Sequence, residues 1–323
     1  MAEFDAPQPG LRLRCSAGPN DDVAALKRLC PDAEFMQGDL TQPETASEIC
    51  RNAAGAVVFH TAGIIHPRRV REFYDINFRG TRNLLQAAAD ALVKRVVVVS
   101  SNSPCGVNPH PDHLFDEHSP FQPYMNYGRS KMLMEQEVAK VAADGILETV
   151  VIRAPWFYGP FQPPRQTLFF TMIREGTAPI VGGGKYKRSM AYTDNLCQGL
   201  LLAATAPQAA GKTYWIADER PYTMNEVIDT VERLLEREFG VACKHKRLRL
   251  PSLASEVAWL ADKFLQSVGV YHQKIHVLSE MNKTIACTVR TAQEELGYRP
   301  TVALEEGMRR SLTWLRGTPH WPF

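Results

Sequence analysis

Tyr127 and Lys131 stand four residues apart in the segment Tyr-Gly-Arg-Ser-Lys. On a helix that spacing places both side chains on one face, one turn apart. A free phenol titrates near ~10 and shuttles protons poorly at neutral pH, but an ammonium one turn away favours the phenolate. The pair therefore suits a general acid/base with Tyr127 carrying the proton. Tyr and Lys are common on helix faces, so the spacing alone is weak. Its context adds Ser100 and Ser101, which end the run Val96-Val97-Val98-Val99. A hydroxyl at the carboxyl end of a strand can bond a substrate oxygen, and that edge is where doubly wound sheets hold ligands. The serines could equally do no more than turn the chain into a loop.

The elements that must position these groups are short apolar runs alternating with amphipathic stretches from about Leu11 to Ile152. The pattern predicts strands over Leu11–Arg14, Glu34–Met36, Ala56–His60, Arg95–Ser100 and Leu147–Arg153, and helices over Asp21–Cys30, Glu44–Asn52, Arg71–Leu92 and Tyr127–Asp144. A strand of four consecutive valines is apolar on both faces, as a central parallel strand covered by helices on both sides must be. The fold class is thus α/β: a doubly wound, Rossmann-like parallel sheet with a smaller, mostly helical lobe. Residues 1–160 with 192–220 are assigned to the sheet core, and 161–191 with 221–323 to the smaller, substrate-binding lobe. Further helices are expected over Asp194–Ala204, Thr223–Glu238 and Ser252–Val268, and a strand over Lys212–Ala217.

At 323 residues the chain can bury a sizeable core, and 45% apolar with 22% charged residues argues against a disordered or fibrous chain. A net charge of +2 with only short basic runs disfavours nucleic acid as a partner. Seven scattered cysteines without a Cys-x-x-Cys pair suggest neither a disulfide framework nor a metal site and fit a reducing, cytoplasmic setting. No apolar run approaches the roughly 18 residues of a membrane span, so membrane insertion is not expected.

The ordered motifs GDL (38–40), HTAG (60–63), NFRGT (77–81), VVVVSS with Gly106, YGRSK (127–131), RAPWFYGP (153–160), YTDN (192–195) and ELGYRP (295–300) resemble the extended short-chain dehydrogenase/reductases, also called the NAD-dependent epimerase/dehydratase family. The resemblance covers nearly the whole chain. It implies that Tyr127 transfers the proton, that Lys131 also holds the nicotinamide ribose, and that Ser101, five residues before Gly106, orients the substrate oxygen. It further implies that Asp39 and Leu40 lie near the adenine, that Thr61, Ala62 and Gly63 line the cofactor, and that Pro155 lies near the nicotinamide amide. Asn77 is expected to be mainly structural. A homodimer through helices corresponding to Arg71–Leu92 and Tyr127–Asp144 is also implied.

One family feature is missing. Members open with a strand and a Gly-x-x-Gly-x-x-Gly loop whose amides cradle the cofactor pyrophosphate. Residues 1–10 are too short to supply it, and Leu11–Arg14 resembles the family's second strand. Either the sequence starts inside a longer enzyme, the reading we favour, or it is a short form that has lost its phosphate grip. Arg14, at the expected strand end, leans the choice to NADP over NAD, because an arginine there accommodates a 2′-phosphate, and it could also be an ordinary surface arginine.

The residues after Ser101 narrow the reaction. Dehydratases of the family carry Asp-Glu there, and this chain has Asn102-Ser103, which disfavours elimination of water. Trp156 replaces an asparagine usual in nucleotide-sugar epimerases, whereas Arg188 matches their diphosphate-binding arginine. Trp156, Phe157, Phe161, Phe169 and Phe170 cluster where the family builds its substrate pocket, and could either wall that pocket or pack the small lobe. The segment 251–258 and the ELGYRP tail resemble the 3β-hydroxysteroid dehydrogenase-like branch. The expected function is an NAD(P)-dependent oxidoreductase acting on a fairly hydrophobic small molecule, with Trp156, Phe157 and Arg188 on the substrate. A nucleotide-sugar epimerase and a non-catalytic binding protein are the alternatives.

Overall fold

The computed structural model describes residues 12–323. Strands β3 (Val57–His60), β4 (Arg95–Ser101), β5 (Glu148–Ala154) and β10 (Thr213–Trp215) form a parallel sheet in the order β10-β5-β4-β3. Strands β1 (Arg14–Ala17) and β2 (Glu34–Gln37), with helix α1 (Val23–Leu29) between them in the chain, pair in parallel as a separate two-stranded sheet. Short strands β6 (Trp156–Tyr158), β7 (Pro179–Val181), β8 (Lys187–Arg188) and β9 (Met190–Tyr192) serve the smaller lobe, with β6 and β9 paired.

The four valines of β4 alternate between two cores. Val96 and Val98 join Val151 and residues of three helices: α2 (Pro43–Ile49), α4 (Thr81–Asp90) and α5 (Met125–Ala143). Val97 and, at the margin, Val99 face the opposite way, with Val150, Ile152 and Leu200 of α7 (Thr193–Thr205). A period of two with helices on both faces is the doubly wound architecture expected from the residues.

The smaller lobe has its own core, in which Tyr158, Ile173 of α6 (Pro164–Arg174), Ile180 and Tyr192 pack with Val227, Val231 and Leu234 of α8 (Met224–Arg237). Leu312 and Leu315 of the last helix, Leu304–Arg316, close it. Cys287, Val289, Ala292, Leu296 and Tyr298, assigned by sequence to this lobe, instead pack on the sheet beside Tyr214 and Ile216.

Two expectations are corrected. The first strand begins at Arg14 instead of ending there; Leu11 lies outside the described residues. The helix expected over Arg71–Leu92 runs unbroken from Val70 to Asp90, but between its first turn, Val70–Glu72 (α3), and α4 the segment Phe73–Gly80 is π-helical. Among the described residues no strand pairs with the outer edge of β3, where Val57 and Phe59 are 36% and 41% exposed.

Candidate active site

The site is built where β4 ends and α5 begins. Ser101 is the last residue of β4 and is buried, with its Oγ 3.4 Å from both the amide and the hydroxyl of Ser103. The Ser103 carbonyl accepts from the Tyr124 amide at 3.0 Å, which ties this loop to the start of α5. Gly128 permits that approach, because a Cβ there would collide with the Ser103 carbonyl oxygen. The glycine of Tyr-Gly-Arg-Ser-Lys thus presses the Tyr127 turn against the serine loop. Gly106, at φ 79°, has a left-handed backbone, and a Cβ on it would strike the Gln122 carbonyl.

Lys131 is 5% exposed, and its Nζ donates to the Val99 carbonyl at 2.9 Å. Burial disfavours its charge and lowers its pKa to about 8, with the Glu135 carboxylate opposing that shift. Lys131 therefore carries its proton at neutral pH yet releases it more easily than an ordinary lysine. Tyr127, half-buried, lies on the aromatic ring of Phe73 at a centroid distance of 5.7 Å.

Beneath this pair lies a buried charged layer. Glu135, one turn beyond Lys131, accepts from Ser100 Oγ at 2.5 Å and pairs with Arg153 of β5 at 2.8 Å, both side chains being about 5% exposed or less. The Arg153 guanidinium also stands over the rings of Phe121 and Trp215. Ser100 thus holds the framework, and Ser101 is left at the site edge. Sequence reasoning missed the Glu135–Arg153 pair. Its one available signal was the charge of Arg153 at the end of an apolar strand.

The loop after β3 forms the facing wall. Asn77 clamps it: its Oδ1 accepts from the Ile64 amide at 2.8 Å, and its Nδ2 donates to the Ile64 carbonyl and to Ser130 Oγ. Asn77 is in the π-helical segment, a distortion that recurs at functional sites. Thr81 donates to the Asn77 carbonyl, so its oxygen must accept from His60 Nε2 at 2.8 Å, which fixes the His60 tautomer. Burial, with the charge of Lys131, pushes the His60 pKa down to about 3 and keeps the ring neutral. A Cβ on Gly63 would stand 3.2 Å from Asn77 Oδ1 and 3.8 Å from Lys131 Nζ, so this loop and the lysine are neighbours.

The other sequence-predicted residues divide. Asp39 and Leu40 follow β2, Thr61, Ala62 and Gly63 follow β3, and Pro155 follows β5, so each lies past the carboxyl end of its strand, as Ser101 ends β4. Arg14 does not belong with them. It opens β1 at the amino end, where it bonds Glu34 and the carbonyls of Ile49 and Arg51, and this removes the basis for preferring NADP. The aromatic cluster also splits: Trp156, Phe169 and Phe170 pack on the small-lobe core, while Phe157 and Phe161 are 37% and 66% exposed. Arg188 donates to the Glu280 carbonyl at 2.5 Å.

A polar network from the C-terminal part backs the start of α5. Asp262 of α9 (Ser252–Ser267) is fully buried between Gln266 and His276, the latter on α10 (Gln273–Glu280). Burial acts to lower the His276 pKa, but the bond to Asp262 and the charge of Glu280 outweigh it and hold it above its ordinary value. Gln266 accepts from the Asn126 amide and side chain, and Tyr74 donates to Asn126 Oδ1. Tyr271, in the turn between α9 and α10, bonds His66 of the β3 loop at 2.7 Å. No spacing in the sequence links these residues.

The nicotinamide half of a dinucleotide fits this arrangement: the Lys131 ammonium lies beside a loop whose Gly63 leaves room for close approach, with Tyr127 one turn away on the same helix. Residues 1–11 lie outside the described residues. The NAD-dependent epimerase/dehydratase family model matches residues 12–217. The uncharacterized protein y4nL of Sinorhizobium fredii is 52% identical over 94% of this chain and 85% of its own length. The 3β-hydroxysteroid-dehydrogenase/decarboxylase isoform 1 of Arabidopsis thaliana is 27% identical over 86% of this chain and 66% of its own. The fold is also that of the UDP-glucuronic acid 4-epimerase of Bacillus cereus, solved in complex with NAD, with TM-score 0.73 and 18% identity over 95% of this chain and 90% of that one. The protein with Tyr127 and Lys131 at its centre belongs to the NAD-dependent epimerase/dehydratase family.

Proposed function

We propose that this protein is a nicotinamide-dependent oxidoreductase that interconverts a secondary alcohol and a ketone on a fairly hydrophobic small molecule. The observation that carries the reading is the placement of Lys131, held by the Val99 carbonyl beside Gly63 and one turn from Tyr127. When bound, the nicotinamide supplies or accepts hydride. Tyr127 gives or takes the hydroxyl proton at the substrate oxygen, and Ser101 bonds that oxygen and orients it. Lys131 keeps a positive charge near the phenol and favours its ionised form. Neutral His60 and Asn77 move no proton in this scheme; they hold the loop that faces the reacting carbon. The exposed Phe157 and Phe161 supply apolar surface for the substrate.

The test is Tyr127→Phe. Turnover should fall by on the order of 10²–10⁴, the usual share of a positioned acid/base, while NADH or NADPH affinity, read by nucleotide fluorescence, stays nearly unchanged. Activity persisting in that variant refutes the assignment. Absence of binding by either nucleotide refutes the enzyme readings and leaves a binding protein.

A nucleotide-sugar epimerase is the second reading, favoured by Arg188. Its guanidinium forms no salt bridge among the described residues, and an arginine suits bidentate binding of a diphosphate. Reduced or oxidised nicotinamide accumulating during turnover distinguishes the two, because an epimerase returns its hydride.

A further inference from the structure

Helix α9 is turned inside out. Its buried face carries Ser255, Ala258, Asp262 and Gln266, three of them polar. The opposite face presents Leu253, Val257, Leu260 and Phe264, with Val268 just past the helix end, at 69%, 58%, 61%, 68% and 60% exposure. The spacing of four, three, four and four is one continuous helical stripe, and none of these five residues joins an apolar cluster of the core. A stripe of large apolar side chains this exposed marks an interaction surface.

The charges around it indicate what covers it. Lys263 lies beside the stripe with its Nζ 5.1 Å over the Trp259 ring. Arg249 precedes the helix, Lys274 follows on α10 one turn before the exposed Val277, and Arg69 bridges Val270 in the turn between them. Among the described residues none of these four cations forms an ion pair, whereas the exposed acid on the same helix, Glu256, is bound by Lys283 and Asn282. The free charge at this surface is therefore positive.

We propose that the exposed face of α9 is a membrane-docking surface that seats the protein on the interface of an anionic bilayer. Leucine, phenylalanine and valine enter the acyl boundary, and the unpaired lysines and arginines meet lipid phosphates. A second copy is a poorer occupant, because a two-fold contact would bring the same unpaired cations together. The helix lies on the bilayer and does not cross it; no helix among the described residues is long and apolar enough to span a membrane.

The test is co-sedimentation of the full chain with vesicles of phosphatidylcholine containing phosphatidylglycerol, and with vesicles of phosphatidylcholine alone. The chain should bind the anionic vesicles on the order of ten-fold more tightly, and salt should weaken that preference. The double variant Leu260→Glu with Phe264→Glu should lose binding while keeping its thermal midpoint, since both side chains are exposed. Lys263→Glu with Lys274→Glu should lose the anionic preference alone. The proposal is overturned if the chain stays in the supernatant of anionic vesicles, or if binding survives the Leu260/Phe264 variant. It is also overturned if sedimentation velocity shows a dimer that this variant dissolves, which would make the face a contact between copies. None of these readouts depends on catalysis.

Discussion

The β4–α5 corner and the β1–α1–β2 flank belong to one parallel α/β arrangement yet are built differently. In the corner, Ser100, Glu135, Arg153, Lys131 and Asn77 are all buried and hydrogen-bonded across four elements. In the flank, helix α1 buries no residue, and Leu26 and Leu29 are 39% and 55% exposed. Proton chemistry needs groups fixed to fractions of an ångström, and the corner supplies that rigidity through charge pairs sealed from water. The flank is held by its β pairing and by the Arg14 bonds, so it should open at lower cost.

The comparison can be broken hardest at Arg153. Arg153→Ala leaves Glu135 buried without its partner and should cost about 3–5 kcal/mol, seen as a lower midpoint in urea denaturation; a loss below about 1 kcal/mol would mean the corner is not held by this pair. Gly128→Ala should be milder, about 1–3 kcal/mol, because the helix start must retreat from the Ser103 carbonyl. Its effect on turnover should exceed its effect on nucleotide affinity.

Lys131 gives a pH signature. Its folded pKa, about 8, lies below its ordinary 10.5, so between those values the unfolded chain binds more protons and stability from this group rises with pH. Activity should move the opposite way, falling above about pH 8 as the ammonium is lost, and Lys131→Met should abolish that limb of the profile. The smallest effect belongs to the flank. Asp22 caps α1 through the amides of Ala24 and Ala25, and Asp22→Ala should cost about 0.5–2 kcal/mol locally. Hydrogen exchange over α1 should quicken while the β4 amides stay protected.

Much of the corner was legible because its residues obey local rules. Four valines in a row can only be a covered strand, and a Tyr and Lys four apart on an amphipathic stretch share a face. The strand limits at β3, β4 and β5 were read to within a residue for the same reason. Arg14 was misread because the two arginines and two leucines at 11–14 look alike at either end of a short strand; its partners, Glu34, Ile49 and Arg51, come from elsewhere in the chain. Asp262, His276 and Gln266 were invisible for a like reason, since a buried polar network is set by tertiary contact. A helix was expected over Ser252–Val268 but its outward stripe was not, because periodicity reports that a helix has two faces and not which one turns inward.

The π-helical segment at Phe73–Gly80 sets the rotational phase of everything after it. Its wider turns carry extra residues between the Val70 turn, which anchors near Gly269, and α4, whose Leu84 and Leu85 enter the sheet core. Deleting one residue there would let the backbone regain α-helical bonding, but it would turn one end by about 100° relative to the other. Either Val70 and Phe73 or Leu84 and Leu85 would then face away from their cores, and Asn77 would lose its line to Ile64. The length of this segment is therefore as constrained as its composition, and an insertion or deletion here should be less tolerated than a substitution.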